Sequence, residues 1–453
     1  MTDASDAAAF DWGLLEPLSR HAGPASDDAL LAALVDVERA LLQAWADEDG
    51  TPGPAGIAAD AFDPAKLDRA ALRDGTRAGG VVVIPLVEQL RRQAEAAAPG
   101  SSDWVHRGAT SQDVLDSALI LTAKRAIVHA RGGLLAAGRR LAKLADEERS
   151  TLTVARTLGQ QAGATTFGAA ASSWLDGITA AIRQLENLDF PVQLGGSVGT
   201  GEAIDVLGSG TADSDRLRAA TARLLELDDP GNAWHAERSP VLRIAQAAAT
   251  AVASLGRYGR DLVFLSRTEI GEVRFAGGGR SSAMPHKRNP VEAVLLTANA
   301  LRAPGLLATV HTAAVSSDAR PAGEWHAEWQ AFRGLLRLLL ESAAVAAELD
   351  PVVDHEAAER SRRAGGSELL AERASALLIG SIGRDAADRL VREALDRHRT
   401  GVADFAAAVA QLAAAERPGL QLDLGDGPTL AAAGRVVDAS LARFATLEAG
   451  DDQ

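Results

Sequence analysis

The part of this 453-residue chain best equipped for chemistry is a loop of glycines, hydroxyls and cations. It reads Gly277-Gly278-Gly279-Arg280-Ser281-Ser282-Ala283-Met284-Pro285-His286-Lys287-Arg288-Asn289-Pro290. The glycines give a freely moving entry. Asn289 is a good helix N-cap and Pro290 a good first helical residue. The loop is therefore expected to end on a helix N-terminus, whose free amides and positive dipole end attract anions. Hydroxyl, ammonium and amide donors on a closable loop suit the stabilisation of a developing carboxylate-type anion. Residue types alone equally accommodate a solvated basic loop with a capping asparagine.

Such a loop needs a rigid scaffold, and the surrounding sequence supplies helices. Alanine and leucine dominate, and β-branched runs bounded by turns are rare. Leu30, Leu34, Val37, Leu41 and Trp45 form one apolar stripe between Asp28 and Glu48, with Ser26 or Asp27 placed to cap its start. Long helical patterns cover Gln112–Arg149, Ala162–Leu188, Pro240–Arg267 and Pro290–Ala303. Helices of this length bury their stripes against one another, as in a bundle, or in a subunit interface. The breaks between them, Leu194–Gly201 and Ala276–Arg280, are glycine-rich, and shorter helices follow to the end of the chain. The expected class is all-α with three domains: an N-terminal helical domain to 105, a central bundle over 106–345 carrying the loop 276–290, and a C-terminal helical domain over 346–453.

Composition narrows the function. Formal net charge is −15, so anionic lipid and nucleic-acid backbones are poor partners. There is no cysteine, which excludes disulfides, thiolate nucleophiles and zinc–thiolate sites. The acidic start MTDASDAAAFDWG is not a signal peptide, and no uncharged apolar run reaches a membrane span, so a cytoplasmic protein is expected. The nine histidines show no metal-ligand spacing, and the glycine run lacks the preceding strand of a dinucleotide site; no metal and no cofactor are expected.

The segment SSAMPHKRNP at Ser281–Pro290 resembles the long motif of the fumarase/aspartase superfamily. Two further stretches extend the resemblance over nearly the whole chain. His106–Asp113 (HRGATSQD) resembles the first family region; Arg156–Gly168 (RTLGQQAGATTFG) and Gly195–Gly201 (GGSVGTG) resemble the second. The resemblance implies a three-domain helical fold around a five-helix bundle, and a homotetramer whose active sites each draw on three chains. It implies Ser281 as catalytic acid/base, with Lys287 and Asn289 holding the carboxylate next to the reacting carbon. It places substrate carboxylate on Thr110 and Ser111, and assigns second-region roles to Thr157 and Gln160.

The departures distinguish members of that superfamily. Its elimination lyases carry a histidine directly after the second-region threonine, paired with a glutamate seven residues beyond the loop lysine. Here those positions are Leu158 and Val294. Losing one half of such a pair strands a buried polar group, whereas losing both is nearly neutral. The 3-carboxy-cis,cis-muconate cycloisomerase branch lacks the histidine. Gly108–Asp113, Trp234–Arg238 (WHAER), Gly256–Val273 and Asp318–Trp329 (DARPAGEWHAEW) also resemble that branch. Trp325 and Trp329 read as i,i+4 helix packing. Arg280 and Ala319 depart from the pattern, where glycine and glutamate are usual.

The expected reaction is interconversion of 3-carboxy-cis,cis-muconate and 4-carboxymuconolactone in protocatechuate breakdown, through an enolate-like aci-carboxylate. A carboxylate leaves without a general acid, which accounts for Leu158. The tricarboxylate substrate needs cations and donors; the candidates are His106, Arg107, His235, Arg238, Ser282, Met284, His286 and Arg320, with Arg288 in reserve. Two alternatives stand beside this reading: an elimination lyase of the adenylosuccinate or argininosuccinate type releasing fumarate, and a non-catalytic structural relative.

Overall fold

The computed structural model describes residues 14–48, 54–210, 212–275, 277, 279–280 and 283–451. Helix dominates, as the composition requires. The first helices are α1 (Asp27–Glu48), α2 (Pro54–Asp60), α3 (Arg69–Gly79) and α4 (Val83–Ala97). Then come α5 (Ser111–Glu147), α6 (Phe167–Glu186), α7 (Glu202–Gly208), α8 (Ser214–Leu225) and α9 (Ser239–Leu265). α10 (Val291–Ala313) and α11 (Glu324–Glu348) follow, then α12 (His355–Ala364), α13 (Ala371–Ile382), α14 (Arg384–Arg399), α15 (Phe405–Glu416) and α16 (Gly427–Asp451).

Starts are set by short polar side chains. Ser26 caps α1, its hydroxyl accepting from Ala29 N at 3.2 Å. Asp68, Asp213, Asp354 and Asp404 do the same for α3, α8, α12 and α15. The stripe on α1 buries Leu34, Val37, Leu41 and Trp45, as its spacing predicts.

Strands are few and pair only locally: β1 (Leu152–Thr157) with β2 (Gln160–Thr166), β3 (Val273–Phe275) with β6 (Pro351–Val353), and β4 (Gly279–Arg280) with β5 (Arg288–Asn289), all antiparallel. The helical pattern expected from Ala162 therefore starts five residues late, at Phe167, because residues 160–166 complete a hairpin. α10 runs on through Pro304 to Ala313, past the expected end at Ala303. Its mean hydropathy of 1.4 makes it long and apolar enough to cross a membrane by length and composition alone, although it carries Glu292 and Arg302; only 28% of that stretch is buried in the chain.

The chain divides into two compact units, one of residues 1–133, 182–253 and 299–344, the other of 134–181, 254–298 and 345–453. Every boundary falls inside a long helix, in α5, α6, α9, α10 and α11. In the first unit, α5 meets α11 at Gly133, where a Cβ would lie 2.9 Å from Ala343 O; Leu41, Trp45, Leu194, Ile204 and Leu217 form a core beside it. In the second, α9 meets α10 at Gly259, where a Cβ would lie 2.7 Å from Ala293 O. There α13, α14 and α15 close around Leu378, Leu390, Phe405 and Val409.

Candidate active site

In the first unit, the first-region segment leads into the N-terminus of α5. Thr110 stands at the cap, and Asp113, three residues on, reaches back to accept from Thr110 N at 2.9 Å. That is the carboxylate half of a capping box, legible in Thr110-Ser111-Gln112-Asp113. Thr110 and Ser111 thus sit where the helix presents its positive end. Arg320 Nη1 donates to Thr110 Oγ1 at 2.6 Å, so two expected substrate-binding residues meet there.

Asp113 is fully buried and gathers more than the cap. It accepts from Gly195 N (3.0 Å) and Gly196 N (2.9 Å), tying the glycine-rich second-region turn to α5, and from His235 Nε2 at 2.7 Å. His235 is only 4% exposed, and its Nδ1 is buried without a partner among the described residues. The ring therefore stands behind the carboxylate, not open to solvent.

Arg238 requires a correction. It was expected to hold substrate carboxylate, but every one of its donors is spent inside the protein. Nη1 and Nη2 grip Asp116 at 2.7 and 3.2 Å; Nε and Nη2 grip Glu328 at 3.1 and 2.6 Å; Nη1 also reaches His235 O at 3.4 Å. All three charged groups are buried. Burial pushes the Glu328 carboxyl above the usual carboxylate range, against the pull of Arg238. Trp325 Nε1 donates to Asp116 at 2.8 Å, and its ring meets Trp329 edge-on at 4.8 Å between centroids, the packing role expected of this pair. Arg238, just before α9, is thus a structural hub that joins α5 and α11.

His106 has φ 63, a left-handed conformation that is costly for a side chain with a Cβ. The backbone around it is pinned. Trp45 Nε1 donates to Arg107 O at 3.0 Å, and the Arg107 guanidinium lies 4.6 Å from the Trp104 ring centre and 5.4 Å from that of Trp45. Arg107 Nη2 is also used, on Leu207 O at 3.2 Å. His106 Nδ1 pairs with Glu38 at 2.7 Å, and Glu38 is wholly buried on α1. Burial disfavours the imidazolium, but the charge and hydrogen bond of Glu38, with Asp113 behind, outweigh it and raise the His106 pKa above the ordinary histidine value.

The remaining expected residues belong to the second unit. Thr157 and Gln160 face each other across the last rung of the β1–β2 hairpin. The two-residue tip is Leu158-Gly159, with φ of 51° and 81°, the signature of a tight primed turn. Leu158 is completely exposed in the chain, so it does not pack on Val294, itself half exposed near the start of α10. Lys287, His286 and Met284 lie on the exposed loop, whose base is closed by the pairing of Gly279 with Asn289 and Arg280 with Arg288; Lys287 N turns back onto Met284 O at 3.0 Å. Asn289 was expected to cap α10 but is a rung of β5, and Pro290 O accepts the first helical bond, from Val294 N. Ser281 and Ser282 lie outside the described residues.

Sequence reasoning missed the acids. Glu38, Asp113, Asp116 and Glu328 are buried carboxylates that orient the histidines and arginines. One signal was available: Glu38 interrupts the apolar stripe of α1 one residue after Val37, and a charge in such a position is expected to be paired. No cluster able to hold a metal occurs among the described residues.

Comparison with known proteins shows the family of the chain. The family described as lyase matches residues 81–305. The chain is 38% identical over 409 residues to a nitrosuccinate lyase of Streptomyces davaonensis, covering 86% of each. It is 35% identical over 381 residues to a 3-carboxy-cis,cis-muconate cycloisomerase of Pseudomonas aeruginosa, covering 82% of each. The structure of 3-carboxy-cis,cis-muconate lactonizing enzyme from Pseudomonas putida superposes with a TM-score of 0.81 at 30% identity, covering 93% of this chain and 96% of that one.

Proposed function

The chain belongs to the lyase family of the fumarase/aspartase superfamily, and on that premise we propose that it is a cycloisomerase interconverting 3-carboxy-cis,cis-muconate and 4-carboxymuconolactone. One observation carries the reading: Lys287 and Asn289 are kept while the histidine and glutamate of the elimination lyases are replaced by Leu158 and Val294. The anion clamp remains, and the group that would protonate a basic leaving group is gone.

In the lactone-opening direction Ser281 takes the proton from the carbon next to a carboxylate. The electrons move onto that carboxylate, which becomes the aci-carboxylate held by Lys287 and Asn289. They return to form the double bond as the ring carboxylate departs unprotonated. Closure runs the same steps backward, with Ser281 returning the proton. Thr110, Ser111, Arg320 and His106 would receive the other carboxylates; the bond from Arg320 to Thr110 at the positive end of α5 supports this part of the reading. No cofactor enters this scheme.

We propose further that the chain forms a homotetramer in which other copies complete the site. Leu158, Val294 and Leu301 are exposed apolar residues, and α10 as a whole is apolar and little buried. Light scattering should give four times the 46.9 kDa chain mass.

A second reading has its own support, the 38% identity to a nitrosuccinate lyase. Nitrite, like carboxylate, is a weakly basic anion that needs no protonation to leave, so the same residues suit elimination from nitrosuccinate. One pair of assays separates the readings. Loss of diene absorbance from 3-carboxy-cis,cis-muconate supports the cycloisomerase. An unchanged diene with nitrite released from nitrosuccinate refutes it in favour of the second. Fumarate release from adenylosuccinate or argininosuccinate refutes both.

A further inference from the structure

We propose that Glu38 is a positioning residue for substrate binding, holding His106 as an imidazolium whose Nε2–H is a charged donor to a substrate carboxylate. The inference rests on the proposed anionic substrate, but its own argument is the geometry of the pair.

Glu38 projects from an otherwise apolar stripe of α1 and is wholly buried. Its Oε1 is 2.7 Å from His106 Nδ1, and its Oε2 has no partner among the described residues. A carboxylate only accepts, so Nδ1 must carry a proton in either charge state of the ring. A neutral His106 would then present a bare lone pair at Nε2, which repels a carboxylate. Only the doubly protonated ring can donate to Glu38 and to a substrate anion together. Nε2 has no partner among the described residues, and the side chain keeps 17% of its surface exposed. The left-handed backbone at His106 and the Trp45 bond to Arg107 O fix the ring on Glu38, so the arrangement precedes substrate. The charged groups around the ring are Glu38 on α1, Asp113 on α5 and Arg91 on α4; the two acids favour the imidazolium and Arg91 opposes it.

The test uses the full oligomer, with tricarballylate as a non-reacting tricarboxylate probe, titrated calorimetrically from about pH 6 to about pH 9. Wild type should lose affinity roughly 10- to 100-fold as His106 deprotonates, the worth of one charged hydrogen bond. In Glu38→Gln the fall should move to lower pH or vanish, because the amide can donate to Nδ1 and leave Nε2–H on a neutral ring. Glu38→Asp should retain the wild-type limb, and His106→Gln should bind weakly with no limb. In turnover the same variants should raise KM and leave kcat within a few-fold. If Glu38→Gln does not fold, Glu38→Asp and His106→Gln carry the test. No binding at any pH, or a limb unmoved by Glu38→Gln, overturns the proposal. The movement of the limb without turnover of either substrate would instead overturn the proposed reaction and leave Glu38 in its role.

Discussion

Replacing Arg238 by methionine tests whether the buried hub is structural. The change removes five donors and leaves Asp116 and Glu328 facing a neutral side chain of similar length. The two acids do not suffer equally. Asp116 keeps Trp325, Gln112 and Gln193 as donors, at 2.8, 3.2 and 3.4 Å. Glu328 keeps none among the described residues, since both its bonds came from Arg238. Its escape is to take up a proton. Holding a carboxyl of ordinary value 4.5 neutral at about pH 7.5 costs about 4 kcal/mol, from about 1.4 kcal/mol per unit. That lies within the roughly 3–5 kcal/mol seen when one partner of a buried pair is removed. The sign of the pH dependence follows. A carboxyl whose folded pKa is raised contributes stability present at low pH and lost as pH climbs through that pKa. Arg238→Met should therefore be least stable in alkali, and its deficit should shrink to about 1–2 kcal/mol near pH 5.5. Denaturant unfolding followed by tryptophan fluorescence reads this directly, because Trp234 and Trp325 both lie against the hub. Adding Glu328→Gln to Arg238→Met should recover part of the loss at pH 7.5. A variant as stable as wild type at every pH, or a deficit that grows toward acid, would show that Arg238 does not carry the buried acids and would return it to the list of substrate ligands.

Lys287→Ala should lower turnover roughly 10²- to 10³-fold, about 3–4 kcal/mol of lost anion stabilisation, as steady-state kinetics would show; near-normal kcat would remove it from the clamp. Leu158→His should cost more activity alone than together with Val294→Glu, since a lone polar group costs about 1–3 kcal/mol when it is left unpaired; additive effects would mean that the two positions do not face each other in the assembled site. Gly168→Ala should destabilise by roughly 1–3 kcal/mol in thermal unfolding, because its Cβ would lie 2.4 Å from Ala145 O and 2.7 Å from the Arg149 Cα, with only backbone to give way. His106, raised by Glu38, should contribute stability that is full below the ordinary histidine range and lost as pH rises through its higher folded value; His106→Gln should flatten that part of the stability profile.

The helices were legible because each obeys a local rule. The stripe on α1 has the helical period, Ser26 is a good cap, and the long alanine-rich runs have no rival structure. Local rules failed where a neighbour decided. Residues 162–166 were expected to be helical, yet 163–166 pair with 152–155, with Ala162 the unpaired residue of the register shift, because Leu158-Gly159 makes the tight turn that joins the strands. The helical pattern was expected to end at Ala303, but α10 passes through Pro304 to Ala313. The site divided in the same way. Motif residues were found by type, but pairings across 68 to 210 positions, such as Glu38 with His106 and Arg320 with Thr110, are not readable from spacing; the break that Glu38 makes in the α1 stripe signals a paired charge without naming its partner. Arg238 is the instructive failure. In sequence it is one more cation beside a histidine, and an anionic substrate makes any such cation attractive. Only burial, with two acids already at hydrogen-bond distance, separates a cation that holds the scaffold from one that meets the substrate. By the same criterion the candidate cations still available for an anion include His106 through Nε2, Arg320 beside Thr110, and the exposed His286, Lys287 and Arg288. The loop lysine and the helix end thus present positive charge locally on a chain whose net charge is −15. On the proposed reading, Leu158 and Val294, apolar where the elimination lyases carry histidine and glutamate, select a leaving group able to depart as an anion.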